Sequence, residues 1–181
     1  IIGLRSELLA FGGTLKRINA LTPTLLELSE QISAQKVQGG ASAREISVAG
    51  QLVMLTQRLG RSANEFMTTE GVNPETAFML GKDAGAFREI VDGFLNGSET
   101  LRLPPSRDQD TRERLAELKT TFAEYQKQVS GILGNLDKFV AAKQSEQLIF
   151  SENETLRERL TKLQQAFRAQ EDSFGWTFWA M

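Results

Sequence analysis

Cysteine is absent from the 181 residues of this chain, and so is histidine. Without cysteine there can be no disulfide, no thiolate nucleophile and no sulfur-ligated zinc. Without histidine the commonest general base and the commonest transition-metal ligand are both missing. Carboxylate chemistry remains open, but with those groups missing the chain reads as a non-enzyme that needs no cofactor and no metal. Charge is balanced as well: 21 lysines and arginines stand against 23 aspartates and glutamates, a net charge of −2, and the basic residues form no cluster. Nothing there recruits nucleic acid. No run of about 18 apolar residues occurs, so no segment reads as a membrane-spanning helix. Strand alternation and low-complexity runs are missing too.

What is present is helical rhythm in a chain of ordinary globular composition, 40% hydrophobic and 24% charged, long enough for one domain with a good core. Leu4, Leu8, Phe11, Leu15, Ile18, Thr22, Leu25, Ser29 and Ile32 recur at alternating three- and four-residue steps, one stripe of a helix over residues 1–36. Pro23 removes a hydrogen bond but leaves that register intact, which favours one kinked helix. Gly39-Gly40 ends it, and Ser42 with Glu45 forms a capping box for a second helix, about 43–69, that Gly71 stops. Asn73-Pro74-Glu75 supplies the cap, first-position proline and first-turn acid of a third helix, about 74–96. Its stripe is Ala77, Leu80, Ala84, Phe87, Val91 and Phe94, and Asn96-Gly97 terminates it. The loop to 109, with Pro104-Pro105, is the longest irregular stretch. A fourth helix starts near Asp110, with a stripe from Leu115 through Phe122 and Ile132 to Leu136 and Phe139 that Gly131 and Gly134 weaken without breaking. A fifth pattern, Ile149, Asn153, Leu156, Leu160, Leu163 and Phe167, covers about 145–173.

These stripes predict an all-α fold: an elongated antiparallel helical bundle with a four-helix core and a long extra C-terminal helix. We divide the chain into a helix over 1–22 continuing from a preceding segment, a bundle module over 23–142, and a helix over 143–181 leading to a membrane-proximal end. Ile1 falls inside a helical pattern, which suggests a fragment. Phe174, Trp176, Phe178 and Trp179 are aromatics of the kind that collect at a membrane interface.

The second helix is unusual. Ala49, Leu52, Thr56, Leu59, Ala63 and Phe66 form its main stripe, widened by Val48, Leu55 and Ser62. A second face gathers Ile46, Gly50, Val53, Gln57, Gly60 and Asn64, which are small, apolar or amide-bearing. A bundle helix needs one buried face, and the second suits another helix, so these six residues are the predicted dimer interface. The segment AGQLVMLTQRL at 49–59 resembles that of the PilJ-type sensor domain, the N-terminal module of type IV pili methyl-accepting chemotaxis transducers. Ala49, Gly50, Leu52, Met54, Leu55, Gln57, Arg58 and Leu59 match the family pattern. GGAS at 39–42, a later Gly-Lys-Asp-Ala and NGSETLRLPPS at 96–106 follow in family order. The similarity covers roughly 20–142, weakens to about 172, and is greatest to the second of two tandem modules.

The resemblance implies a periplasmic domain of a bacterial inner-membrane receptor: a homodimer that controls type IV pili and twitching motility through a cytoplasmic chemosensory kinase complex outside this chain. It also implies a relation to the sensing domains of nitrate sensor kinases. In those relatives an arginine five residues before the Gln-Arg arginine holds the anion, and here that position is Val53, which offers no donor. The ligand-binding candidates are therefore Arg58, whose guanidinium is a planar fork of donors, and Gln57. Arg61 can pair with Glu65. Lys82 and Asp83 belong to the family pattern and are expected on the surface. Gly81 and Gly85 read as a close helix crossing. Met54, Met67 and Met79 read as core. Asp108 and Asp110 read as helix caps, and Glu152, Glu154 and Glu158 with Arg157, Arg159 and Lys162 as a solvated face. Three functions follow: a receptor module triggered by a partner such as pilin subunits or by a small periplasmic ligand, a nitrate-like small-anion sensor using Arg58, and a structural helical spacer without ligand.

Overall fold

The structure is a computed structural model, and it describes residues 2–68 and 73–177. Five helices form among them: α1 (Ile2–Gln38), α2 (Ala43–Thr68), α3 (Pro74–Asn96), α4 (Gln109–Gly134) and α5 (Leu136–Thr177). α1 packs on α2 and α4, and α3 packs on the same two; the backbones of the diagonal pairs do not approach closely. Every neighbouring pair is antiparallel, as the cross-helix contacts show. Ser29 lies opposite Thr56 on α1 and α2, Arg58 opposite Asp83 on α2 and α3, Asp92 opposite Lys119 on α3 and α4, and Gln31 opposite Arg114 on α1 and α4. This is the expected four-helix bundle. The chain divides into two compact units, Ile1–Ala142 and Lys143–Met181. The first holds the bundle; the second is the greater part of α5.

The predicted stripes line the core. Leu25, Ile32, Leu52, Leu59, Leu80, Phe87, Leu115, Tyr125 and Ile132 are fully buried, each stabilising by roughly 1.5–3 kcal/mol before entropy. The Phe87 and Phe122 rings stand 4.4 Å apart, and Phe122 stacks on Tyr125 at 5.8 Å. α1 runs unbroken through Pro23, and its first half contributes Phe11, Leu15 and Ile18 to the same core. Gly81 works as a crossing, since a Cβ there would stand 3.2 Å from Leu133 of α4. Met54 is 45% exposed, contrary to the core reading, because it sits on the flank of α2 beyond the buried Leu55. Gly71, Phe178 and Trp179, which carried boundary expectations, lie outside the described residues.

The helix ends follow their local chemistry. Ser42 and Glu45 form the reciprocal capping box, with Glu45 N–H donating to Ser42 Oγ at 3.2 Å and Ser42 N–H to Glu45 Oε2 at 3.1 Å. Asn73 caps α3 by accepting from Glu75 N–H at 2.9 Å. The cap of α4 is Asp108, which accepts from Thr111 N–H at 2.9 Å, so the helix starts at Gln109, one residue before Asp110. The far end of α4 corrects the sequence reading. Its stripe was expected to continue to Phe139, but the helix stops at Gly134 and α5 begins at Leu136. Glycine costs a helix about 1 kcal/mol relative to alanine, and Gly131 and Gly134 fall within one turn. Asn135 leaves the helical conformation there, and its side-chain amide donates to the Gly131 carbonyl at 3.0 Å.

The loop from Gly97 to Asp108 is irregular but tied down. Ser98 and Leu103 exchange two backbone hydrogen bonds of 2.9 and 2.8 Å, Leu103 is buried, and Gly97 takes the positive φ of +83° that the turn requires. Ser106 N–H donates to Phe94 O, and Arg112 donates to the carbonyls of Leu95 and Ser106. Arg44 of α2 donates to Leu101 O at 2.8 Å. Lys36, at the end of α1, closes this group. Its ammonium is withdrawn from water, bonding Glu45 Oε1 at 3.1 Å and Ser106 Oγ at 2.8 Å and standing 4.9 Å above the Phe94 ring.

Two outcomes follow. Phe122→Ala removes a ring from the centre of α4's buried face and is expected to lower stability in urea unfolding by about 3–5 kcal/mol. The Glu45 carboxyl is pushed up by partial burial, but Ser42 and the Lys36 ammonium outweigh that and hold it below its ordinary value. Thr111 N–H holds Asp108 below its own. Both are carboxylates with depressed folded values. Their contribution is therefore present above the ordinary carboxylate range and is lost as pH falls through the depressed values. Urea unfolding from neutral pH downward should show that loss, and Glu45→Gln should remove part of it.

Candidate functional site

The central helix presents three surfaces. Val48, Ala49, Leu52, Leu55, Thr56, Leu59 and Ala63 enter the core, as the stripe predicts. The second face is divided. Gly50, Gln57 and Asn64 are exposed and Ile46 is half-buried. Val53 and Gly60 turn toward α1. Val53 lines a shallow groove with Glu30, Ala34 and Val37, and a Cβ on Gly60 would stand 3.0 Å from the Thr22 methyl. Gly60 thus already serves a close crossing inside the chain.

The third surface carries Arg58. Its side chain is 32% exposed and its guanidinium bonds Asp83 Oδ1 of α3 at 3.0 Å, while the Asp83 side chain is 4% exposed. The expectation that Asp83 lies on the surface is overturned. Asp83 falls three residues after Leu80 and four before Phe87, both in α3's stripe, so the helical turn carries it inward. That spacing was the signal available in the sequence. Asp83 also faces the buried Tyr125. Burial pushes the Tyr125 hydroxyl well above its ordinary value, the Asp83 charge adds to this, and the Thr22 hydroxyl offsets part of it. Asp83 Oδ2 has no protein hydrogen-bond partner.

Beside this pair lies a groove of about 400 Å³ between α2 and α3, lined by Arg58, Arg61, Ser62, Glu65, Asn73, Glu75, Thr76, Met79 and Asp83. Glu65 accepts from the Thr76 hydroxyl at 2.8 Å, a second polar tie between the helices. Two guanidinium groups meet three carboxylates here, so a small anion finds Arg58 engaged and carboxylates alongside. Gln57, the other ligand candidate, is exposed and does not line the groove. Among the described residues no group of acids could hold a metal ion. Anything that enters this groove touches α2 and α3 together.

The comparisons with known proteins give this module its family. Residues 37–148, from the end of α1 through α4 into α5, match the family of the type IV pili methyl-accepting chemotaxis transducer N-terminal domain, PilJ. The chain belongs to that family. It is similar to Protein PilJ of Pseudomonas aeruginosa, 23% identical over 166 residues, which cover 88% of this chain and 24% of that protein. It is also similar to AlkN of Alcanivorax borkumensis, named as a methyl-accepting chemotaxis protein, 25% identical over 146 residues, 80% of this chain and 22% of that one. The chain spans about a quarter of the length of these relatives. The match encloses the whole Arg58–Asp83 site.

Arg58→Ala would leave the Asp83 carboxylate buried without its counter-charge. We expect a loss of about 2 kcal/mol in urea unfolding, below the 3–5 kcal/mol typical of a fully buried pair because Arg58 is partly hydrated. Arg58→Met combined with Asp83→Leu should recover most of the loss, since the cost lies in the unpaired charge.

Proposed function

We propose that this chain is a periplasmic sensory module of an inner-membrane methyl-accepting chemoreceptor that controls type IV pili and twitching motility. It works as a homodimer through the second face of α2, around Gly50, Val53 and Gln57. It signals by a small displacement of one helix against its neighbours, of the 1–2 Å order by which packed helices switch. A cytoplasmic chemosensory kinase complex, reached through parts of the receptor outside this chain, receives the signal. The observation that carries this reading is the Arg58–Asp83 pair beside a groove between α2 and α3, inside the family match. A partner that prefers one arrangement of these helices shifts the population toward it. Pilin subunits fit the role of trigger, because the groove's carboxylates and the valine at position 53 weigh against a small anion.

A small-anion reading keeps one observation in its favour: Arg58 and Arg61 both line the groove. Thermal unfolding of the chain with nitrate, with a panel of other anions and with soluble pilin separates the readings. A ligand bound only by the folded state stabilises it by about 2.7 kcal/mol at a hundredfold excess over its dissociation constant, a shift of several degrees. Stabilisation by pilin and by no anion is the expected result. A nitrate shift lost in Arg58→Ala would establish the anion sensor instead, and no response to any of them would leave a structural spacer.

A further inference from the structure

The groove between α2 and α3 holds charges that the bundle leaves uncompensated. Arg58 pairs with Asp83 through one carboxylate oxygen, Oδ1. The other oxygen, Oδ2, is buried at the groove wall without a hydrogen-bond partner in the protein. A buried carboxylate oxygen left without a donor is costly, and here the donor must come from outside the chain. Arg61 and Glu75 line the same groove, both are exposed, and neither forms an ion pair with any described residue. Glu65, which accepts from the Thr76 hydroxyl, adds a third carboxylate. The groove therefore carries both signs of charge, with one more carboxylate than guanidinium.

This pattern of signs selects the ligand. A simple anion meets three carboxylates and a guanidinium that is already engaged. A simple amine answers the carboxylates but sets a second cation against Arg61. A metal ion does not fit either, since among the described residues no group of acids is arranged to hold one. A molecule with an ammonium beside a carboxylate answers both halves. The ammonium brings three donors for Asp83 Oδ2 and the flanking carboxylates, and the planar fork of Arg61 takes the carboxylate. Met79, half-buried in the wall, gives the ligand's carbons a soft apolar surface. The volume of about 400 Å³ is that of a small-molecule pocket. We propose that the groove binds a small zwitterion, a free α-amino acid, with its ammonium on Asp83 and its carboxylate on Arg61. Arg58, partly exposed on a long stem, turns aside to admit the ammonium. The proposal rests on the reading of this chain as a sensory module and adds a dissolved ligand to the pilin contact.

Thermal unfolding of the full chain with each of the standard L-α-amino acids, and calorimetric titration of any that stabilises it, tests this. At least one should raise the unfolding temperature by several degrees at a hundredfold excess over its dissociation constant. Its N-acetyl derivative, which lacks the ammonium, and its amide, which lacks the carboxylate, should not. Arg61→Gln, on the exposed rim, should weaken binding about tenfold while leaving the unfolding of the free chain unchanged. Arg58→Met combined with Asp83→Leu, which removes the orphan oxygen and leaves no unpaired charge, should abolish binding. Arg88→Gln, on α3 outside the groove, should not alter it. Stabilisation by none of the amino acids, equal stabilisation by the acetylated or amidated form, or full affinity in Arg61→Gln would overturn the proposal. A response to soluble pilin alone overturns it too and leaves the proposed function standing. A response to an amino acid alone supports it and removes pilin as the trigger.

Discussion

A single cation withdrawn from water fixes one end of the bundle. The Lys36 ammonium cannot stay charged and buried without partners, and the partners it takes belong to three segments: Glu45 at the start of α2, Ser106 in the loop before α4, and the Phe94 ring near the end of α3. Each brings further bonds. Glu45 is half of the capping box, Ser106 is tied to Phe94 and Arg112, and Arg44 reaches Leu101. The loop with the fewest sequence cues to order is thereby the one most densely bonded. The positions of α2 and α3, and hence of everything between them, are referred to this end.

Most of the architecture was legible in the sequence, because amphipathic helices announce themselves by apolar period and their ends by cap chemistry. Ser42–Glu45 and Asn73–Pro74–Glu75 were readable for that reason. What escaped was polar burial. Lys36 and Asp83 are ionisable, so each reads as surface on composition, yet both fall in step with apolar stripes, Lys36 four residues after Ile32 and Asp83 three after Leu80. Period was the better guide than polarity at those two positions. The break at Asn135 was missed for the opposite reason: the apolar period continues across it, while two glycines and an asparagine make the backbone conformation costly to keep.

The candidate site was half legible. The family segment directed attention to Arg58, but a partner on another helix cannot be seen from one helix. With Asp83 in place, Arg58 becomes a tie across the α2–α3 seam as well as a donor facing the groove. A ligand that drew Arg58 away from Asp83 would couple its binding to helix packing directly. The second face of α2 is likewise shared, with Gly60 against Thr22 inside the chain and Gly50 and Gln57 open to solvent.

Because α2 is anchored at Glu45, a push on it works about a pivot. Arg58 lies about 20 Å along the helix from that anchor, and Thr68, the last described residue of α2, about 35 Å, at 1.5 Å per residue. A sideways movement of 1 Å at Arg58 would then become nearly 2 Å where the helix ends. The helix is in this sense a lever, and its mechanical advantage is set by where along its length the guanidinium sits.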